Sequence, residues 1–174
     1  MLLIPPMPAW STLHPLIVHF PIALLVVVPL FVVIGMFGKA ECGRSFLITA
    51  LILMALGTVS TFVATSTGEA AKEHAESKPG VEAVLEQHED LAETTQVAFS
   101  ALTLIYAAIL FAPRLLPRPL PPRVAMALPI AFLALYSAGL LLLMNTAHQG
   151  GRLVHELGVA TQASSSAVRS VERD

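Results

Sequence analysis

Four stretches of this chain, residues 15–37, 46–65, 95–112 and 124–145, are long, apolar and free of charge. A helix needs roughly 20 such residues to cross about 30 Å of hydrocarbon. Only 13% of the 174 residues are charged and 55% are hydrophobic, with a mean hydropathy of +0.74. A soluble domain carries about a quarter charged residues. This chain cannot cover its surface with polar groups, so lipid must be the solvent for much of it. In lipid the backbone has to satisfy its own hydrogen bonds, which a helix does within one segment. The expected fold is all-α, a four-helix transmembrane bundle in a single domain.

The segments 38–45 and 113–123 are tight connections, so neighbouring helices should pack antiparallel in an up-down topology. The outer loop, 66–94, is longer and is broken by Pro79-Gly80. Its second half, Val81–Glu93, is acidic and rich in helix formers, and should continue into the third span as one helix. The two short connections hold Lys39, Arg44, Arg114, Arg118 and Arg123, five of the ten Lys and Arg. Eleven of the twelve acids lie on the other side. The positive-inside rule therefore puts the short loops in the cytoplasm and both termini outside the membrane. The expected location is the bacterial inner membrane, as a multi-pass protein. Met1–Pro6 has no positive region and breaks at prolines, so the first apolar segment reads as a retained span. Pro21 and Pro29 should bend it. Ser11 or Thr12 could cap it, and Trp10 fits an interfacial anchor. The fourth span should end near Asn145, before Gly150-Gly151, and the tail 160–174 reads as flexible. No internal repeat is evident.

Histidine at membrane depth is costly and raises a functional question by default. Leu13-His14-Pro15-Leu16-Ile17-Val18-His19-Phe20-Pro21 places two at the mouth of the first span. The expected topology puts all six histidines at the outer end: His14 and His19, His74 and His88 on the outer segment, His148 and His155 beyond the fourth span. On a regular helix His14 and His19 are about 140° apart and face different neighbours. His88 and His148 match them in height. His14, His19, His88 and His148 could thus surround one outward-facing pocket, with His74 and His155 more simply read as exposed.

Such a pocket suits haem b, which takes neutral imidazoles from facing helices and an apolar slot. Imidazole also binds copper and zinc well. Carboxylates orienting the ligand rings would come from Glu69, Glu89 or Glu93. The plainer alternative is that the histidines only cap, pack and hydrogen-bond. The small and hydroxylated residues Gly57, Thr61 and Thr65 point to close helix packing. With one cysteine, Cys42, neither an intrachain disulfide nor a c-type haem site is open to the chain.

The opening stretch Leu13–Leu24 resembles the first motif of the bacterial family of predicted membrane proteins called domain of unknown function 2231. Thr67-Gly68-Glu69-Ala70-Ala71 and His88 fall where that family has a small-residue turn and a histidine. His148–Val159 is similar to its closing motif, so the resemblance covers residues 13 to 159. The family more usually has tyrosine at the position of His155, which leaves His155 out of an essential ligand set. Its members occur beside cytochrome and redox modules, which implies a haem or electron-transfer setting.

The leading expectation is a membrane redox subunit that binds haem b and relays electrons between a quinol or membrane donor and a periplasmic acceptor. It would work within a complex or a homo-oligomer and bind no nucleic acid. The alternatives are a copper- or zinc-binding membrane protein, or a non-catalytic structural or assembly subunit. No H-E-x-x-H, G-x-S-x-G or nucleotide loop occurs, so an accessory or electron-transfer role is favoured over a stand-alone enzyme.

Overall fold

The structure, a computed structural model, describes residues 9–76, 79–115 and 120–159, apart from the side chains of residues 40, 73, 74, 112, 114 and 115. His74, Arg114, Arg118 and the tail 160–174 therefore lie outside the described side chains. After a 3-10 turn at Trp10–Thr12 come α1 (His14–Ile17), α2 (His19–Phe37), α3 (Ala40–Glu76), α4 (Glu82–Leu115) and α5 (Pro122–His155). The fold is all-helical among the described residues. Among those residues, four helical segments are long and apolar enough to cross a membrane: His14–Phe37, Glu41–Lys72, Glu82–Phe111 and Pro122–His155. Large apolar side chains such as Phe20, Leu30, Leu104 and Leu141 are exposed on their outer faces, as lipid contact requires.

The first segment is broken at Val18, and Pro21 explains the break. Proline has no N–H to give the Ile17 carbonyl, so the helical ladder is interrupted one turn before it. The neighbouring Ile22 N–H to Val18 O bond is long, at 3.4 Å. No side-chain cap from Ser11 or Thr12 starts this segment; Thr12 hydrogen-bonds Ala9 O instead.

The helices run well past the apolar stretches. Most of the segment read as an outer loop, 66–94, is helical, because α3 continues to Glu76 and α4 starts at Glu82. Residues 66–76 and 82–93 are rich in Ala, Glu and Lys, which favour helix. The expected merger of Val81–Glu93 with the third span is what α4 displays. Between them Gly80 takes φ +80°, a left-handed conformation that glycine adopts without strain. At this end the helices pack through Ala75, Val81, Leu85 and Leu153. The fourth helix also passes its expected end, carrying Gly150 and Gly151 inside α5.

Contacts pair α2 with α3 and α4 with α5. Gly35 lies against Leu47, Leu25 against Gly57, and His14 against Gly68, in opposite order along the two helices. Leu102 lies against Gly139 and His88 against Gly150 in the same reversed order. Missing Cβ atoms allow these approaches: one on Gly57 would fall 2.7 Å from Leu25, one on Gly139 2.8 Å from Leu102. Close backbone approach is the main source of helix association in lipid.

The two pairs are versions of one hairpin, a repeat that sequence reading alone does not reveal. Pro21, Leu25, Val28 and Val32 are buried in α2. The step that takes His14 to His88 takes them to Thr95, Phe99, Leu102 and Tyr106, all buried. Ala50, Met54, Gly57, Thr61, Ala64 and Thr67 are buried in α3. The step from Ala64 to Thr146 takes them to Phe132, Tyr136, Gly139, Leu143, Thr146 and Gln149 of α5, all buried again. The second step is eight residues longer, because α4 runs four residues further than α2 and the connection after it is four residues longer.

Between the hairpins sits an aromatic core of Phe99, Tyr106, Phe132 and Tyr136, with ring centroids 4.8–5.6 Å apart. Tyr136 is fully buried and its hydroxyl donates to Leu25 O at 2.8 Å, tying α5 to α2. Interhelical hydrogen bonds in membranes average about 0.6 kcal/mol and reach about 1.7. Tyr136→Phe should therefore destabilise the bundle by about 1 kcal/mol or less, read as a shifted unfolding midpoint in detergent.

Candidate functional site

One end of the bundle gathers its histidines. His14 opens α1, and its Nδ1 lies 2.9 Å from Ala64 O and 3.2 Å from Thr67 Oγ1 on α3. His88 projects from α4, and its Nδ1 lies 3.0 Å from Thr146 O on α5. A carbonyl oxygen only accepts, so in each neutral ring Nδ1 carries the proton and donates it. The second nitrogen, Nε2, is then left with a free lone pair on both histidines. The ring centroids are 6.3 Å apart and the ring planes stand at 80°.

Each ring rests on a glycine placed four residues beyond its carbonyl partner. A Cβ on Gly68 would lie 3.1 Å from His14 Cε1, and one on Gly150 would lie 3.0 Å from His88 Cε1. Hydroxyls brace the same level. Thr67 Oγ1 donates to Ala64 O at 2.9 Å, and Thr95 and Thr146 share a hydrogen bond at 2.8 Å. The sequence reading assigns Gly57, Thr61 and Thr65 to packing; further along the helix, Thr67 and Gly68 seat the imidazole of His14.

The two rings line a cavity of about 340 Å³ whose walls are otherwise almost wholly apolar. His19 and His155 line it too, and both are exposed, so they stand at its open edge. Of the four histidines singled out in the sequence, the structure thus brings together His14, His88 and His19. His148 is exposed and is not among the lining residues. Five residues before His148 the helix buries Leu143, and the face carrying His148 turns outward. His155, set aside in the sequence reading, takes the fourth position, because α5 continues through Gly150-Gly151 and carries it to the cavity.

The carboxylates do not orient the rings. Glu89 is paired with Lys72 at 2.7 Å across α4 and α3, while Glu69 and Glu93 are exposed. Backbone carbonyls of Ala64 and Thr146 take the orienting role, and they carry no side-chain signature that a sequence could display. A carbonyl serves a ligand histidine as a carboxylate does, by fixing its tautomer and its direction. Among the described residues no group of three or more His, Cys, Asp or Glu is placed to hold a metal ion. The cavity thus presents two part-buried imidazoles with Nε2 free, one from each hairpin, and two exposed ones at its edge.

No curated protein and no solved structure matches the chain. A family model described as a predicted membrane protein, DUF2231, matches residues 10–163. Its span takes in all four membrane helices and both hairpins' histidines, and the chain belongs to that family of predicted membrane proteins.

Proposed function

We propose that this chain is a membrane redox subunit that binds haem b between His14 and His88 and relays electrons near the outer face of a bacterial inner membrane. The observation that carries the reading is the matched imidazole pair. Both rings give Nδ1–H to a carbonyl, which leaves Nε2 free on each. Two imidazoles sharing one metal through bonds of about 2.0–2.1 Å set their ring centroids roughly 6 Å apart. The observed separation is 6.3 Å. Ligands from facing helices of a bundle and an apolar surround are what a bis-imidazole haem needs. Haem there would supply one-electron chemistry. The chain's own part is to hold the two rings rigidly in one tautomer and to keep water from the metal.

The reading takes the bundle as up-down, with both termini and the histidine end outside and the basic connections in the cytoplasm. Electrons would come from a quinol or membrane partner and leave to a periplasmic protein, within a complex or a homo-oligomer. Copper or zinc at the same pair is the second reading, since imidazole suits both metals.

The test is a reduced-minus-oxidised spectrum of the protein purified in mild detergent after haem-replete expression, with metal analysis of the same sample. A low-spin bis-imidazole haem spectrum is the expected result. Copper or zinc without haem would replace the first reading by the second. Colourless, metal-free protein would leave the histidines a structural role.

A further inference from the structure

The two equivalent hairpins meet along two seams, and the seams differ. Lys72 and Glu89 close the seam between α3 and α4 with an ion pair at 2.7 Å. Two turns deeper Thr65 donates to Gln96 Oε1 at 2.8 Å across the same seam. The steps that superpose the hairpins take Lys72 to Val154 and Glu89 to Pro15, Thr65 to Ala147 and Gln96 to Ile22. All four counterparts are apolar, none can form the latch, and all four line the cavity, whereas of the latch residues only Thr65 does. Pro15 and Ala147 are exposed, and α2 meets α5 far less than α3 meets α4. One seam is latched by polar pairs; the other is an apolar slit leading to His14 and His88.

The histidines at the slit have counterparts too. His19 and His155 correspond to Glu93 of α4 and position 73, a glutamate, of α3. The open seam therefore carries the imidazole of His19 where the closed one has the exposed carboxylate of Glu93, and it adds His155. Haem b has an apolar body and one edge bearing two propionates. Buried in lipid-facing protein, those carboxylates need hydrogen-bond donors and contact with the polar surface. At the closed seam Glu93 would repel them.

We infer that the seam between α1–α2 and α5 is the entry and the resting place of the ligand's acidic edge, held by His19 and His155 as carboxylate partners and not as metal ligands. This assignment rests on the haem reading and adds the direction of the bound group. It gives His19, the deeper histidine of the opening motif, a role distinct from that of His14.

The test separates holding the edge from holding the iron. His19→Ala/His155→Ala is expected to keep the bis-imidazole spectrum while haem passes to an excess of apomyoglobin about tenfold faster. His19→Asn/His155→Asn, which restores donors, is expected to slow the transfer again. An unchanged transfer rate would overturn the assignment, and so would loss of the bis-imidazole spectrum in the double alanine variant. A second arm transplants the latch as Pro15→Glu/Val154→Lys, which should slow haem uptake; uptake at the original rate would overturn the entry route.

Failure of haem binding itself is read separately. If the unaltered protein takes up no haem, the acidic-edge role falls with the haem reading. The seam is then decided by thiol labelling in a Cys42→Ser background. Ala147→Cys should react with N-ethylmaleimide faster than Thr65→Cys, and more slowly once the latch is transplanted. Equal rates at the two positions would overturn the open seam.

Discussion

His14→Ala and His88→Ala are each expected to abolish the bis-imidazole spectrum, and to do so to the same degree. Each ring comes from an equivalent place in an equivalent hairpin and is held by the same kind of bond, Nδ1–H to a backbone carbonyl. Losing an orienting partner of a metal ligand typically costs 10–100-fold in affinity. Losing the ligand itself should lower haem retention by more than about 100-fold. Imidazole added to the growth medium should restore part of the spectrum in either variant, since the cavity left by the ring is of the right size and chemistry. A purely structural pair gives the opposite pattern: a lowered unfolding midpoint in both variants and no haem to lose from the parent. Retention of an unaltered spectrum by either variant would remove that histidine from the ligand pair.

Gly68→Ala and Gly150→Ala should move stability and cofactor retention in opposite directions. Alanine is favoured over glycine in a helix interior by about 0.8–1.0 kcal/mol. Neither position requires a glycine backbone conformation, since the positive-φ glycines are Gly80 and Gly158. Folding should therefore tolerate or welcome the change, within what the displaced ring gives back. The new Cβ, however, falls 3.1 Å from His14 Cε1 or 3.0 Å from His88 Cε1. That is closer than a carbon pair rests comfortably, at about 3.5–4.0 Å, so the ring must shift by several tenths of an ångström. A ring moved off its carbonyl loses both direction and tautomer control, which should cost about tenfold in haem retention. Thermal unfolding in detergent and haem titration on the same samples check the two signs together. Parallel losses in both would show that the glycines serve packing alone.

The hydropathy pattern made the membrane helices legible, because an apolar run of about twenty residues has few other uses. It set their ends poorly. Beyond Thr65 and before Thr95 no apolar face was needed to keep α3 and α4 helical, only good helix formers and the small outer core at Ala75, Val81, Leu85 and Leu153. Gly150-Gly151 reads as a helix end, yet both lie inside α5, where Gly150 leaves room for the imidazole of His88. The repeat was hidden for a related reason. The hairpins share most of their buried positions, but they fill them with different residues: Val32 where the other has Tyr106, Met54 where it has Tyr136. Burial depends on neighbours, and neighbours are not written in one hairpin's own sequence.

The sequence by itself determined that the chain has four stretches long and apolar enough to cross a membrane, and that histidines gather near one end of them. It did so because hydropathy and length are local properties. Which histidines meet was decided by the tertiary structure. His14 and His88 are brought within 6.3 Å by two hairpins packing face to face, His148 is turned away by the pitch of α5, and His155 is carried inward by its continuation. The proton position on each ring was likewise decided there, because it depends on the carbonyls of Ala64 and Thr146, backbone atoms that every residue possesses and only the fold can aim.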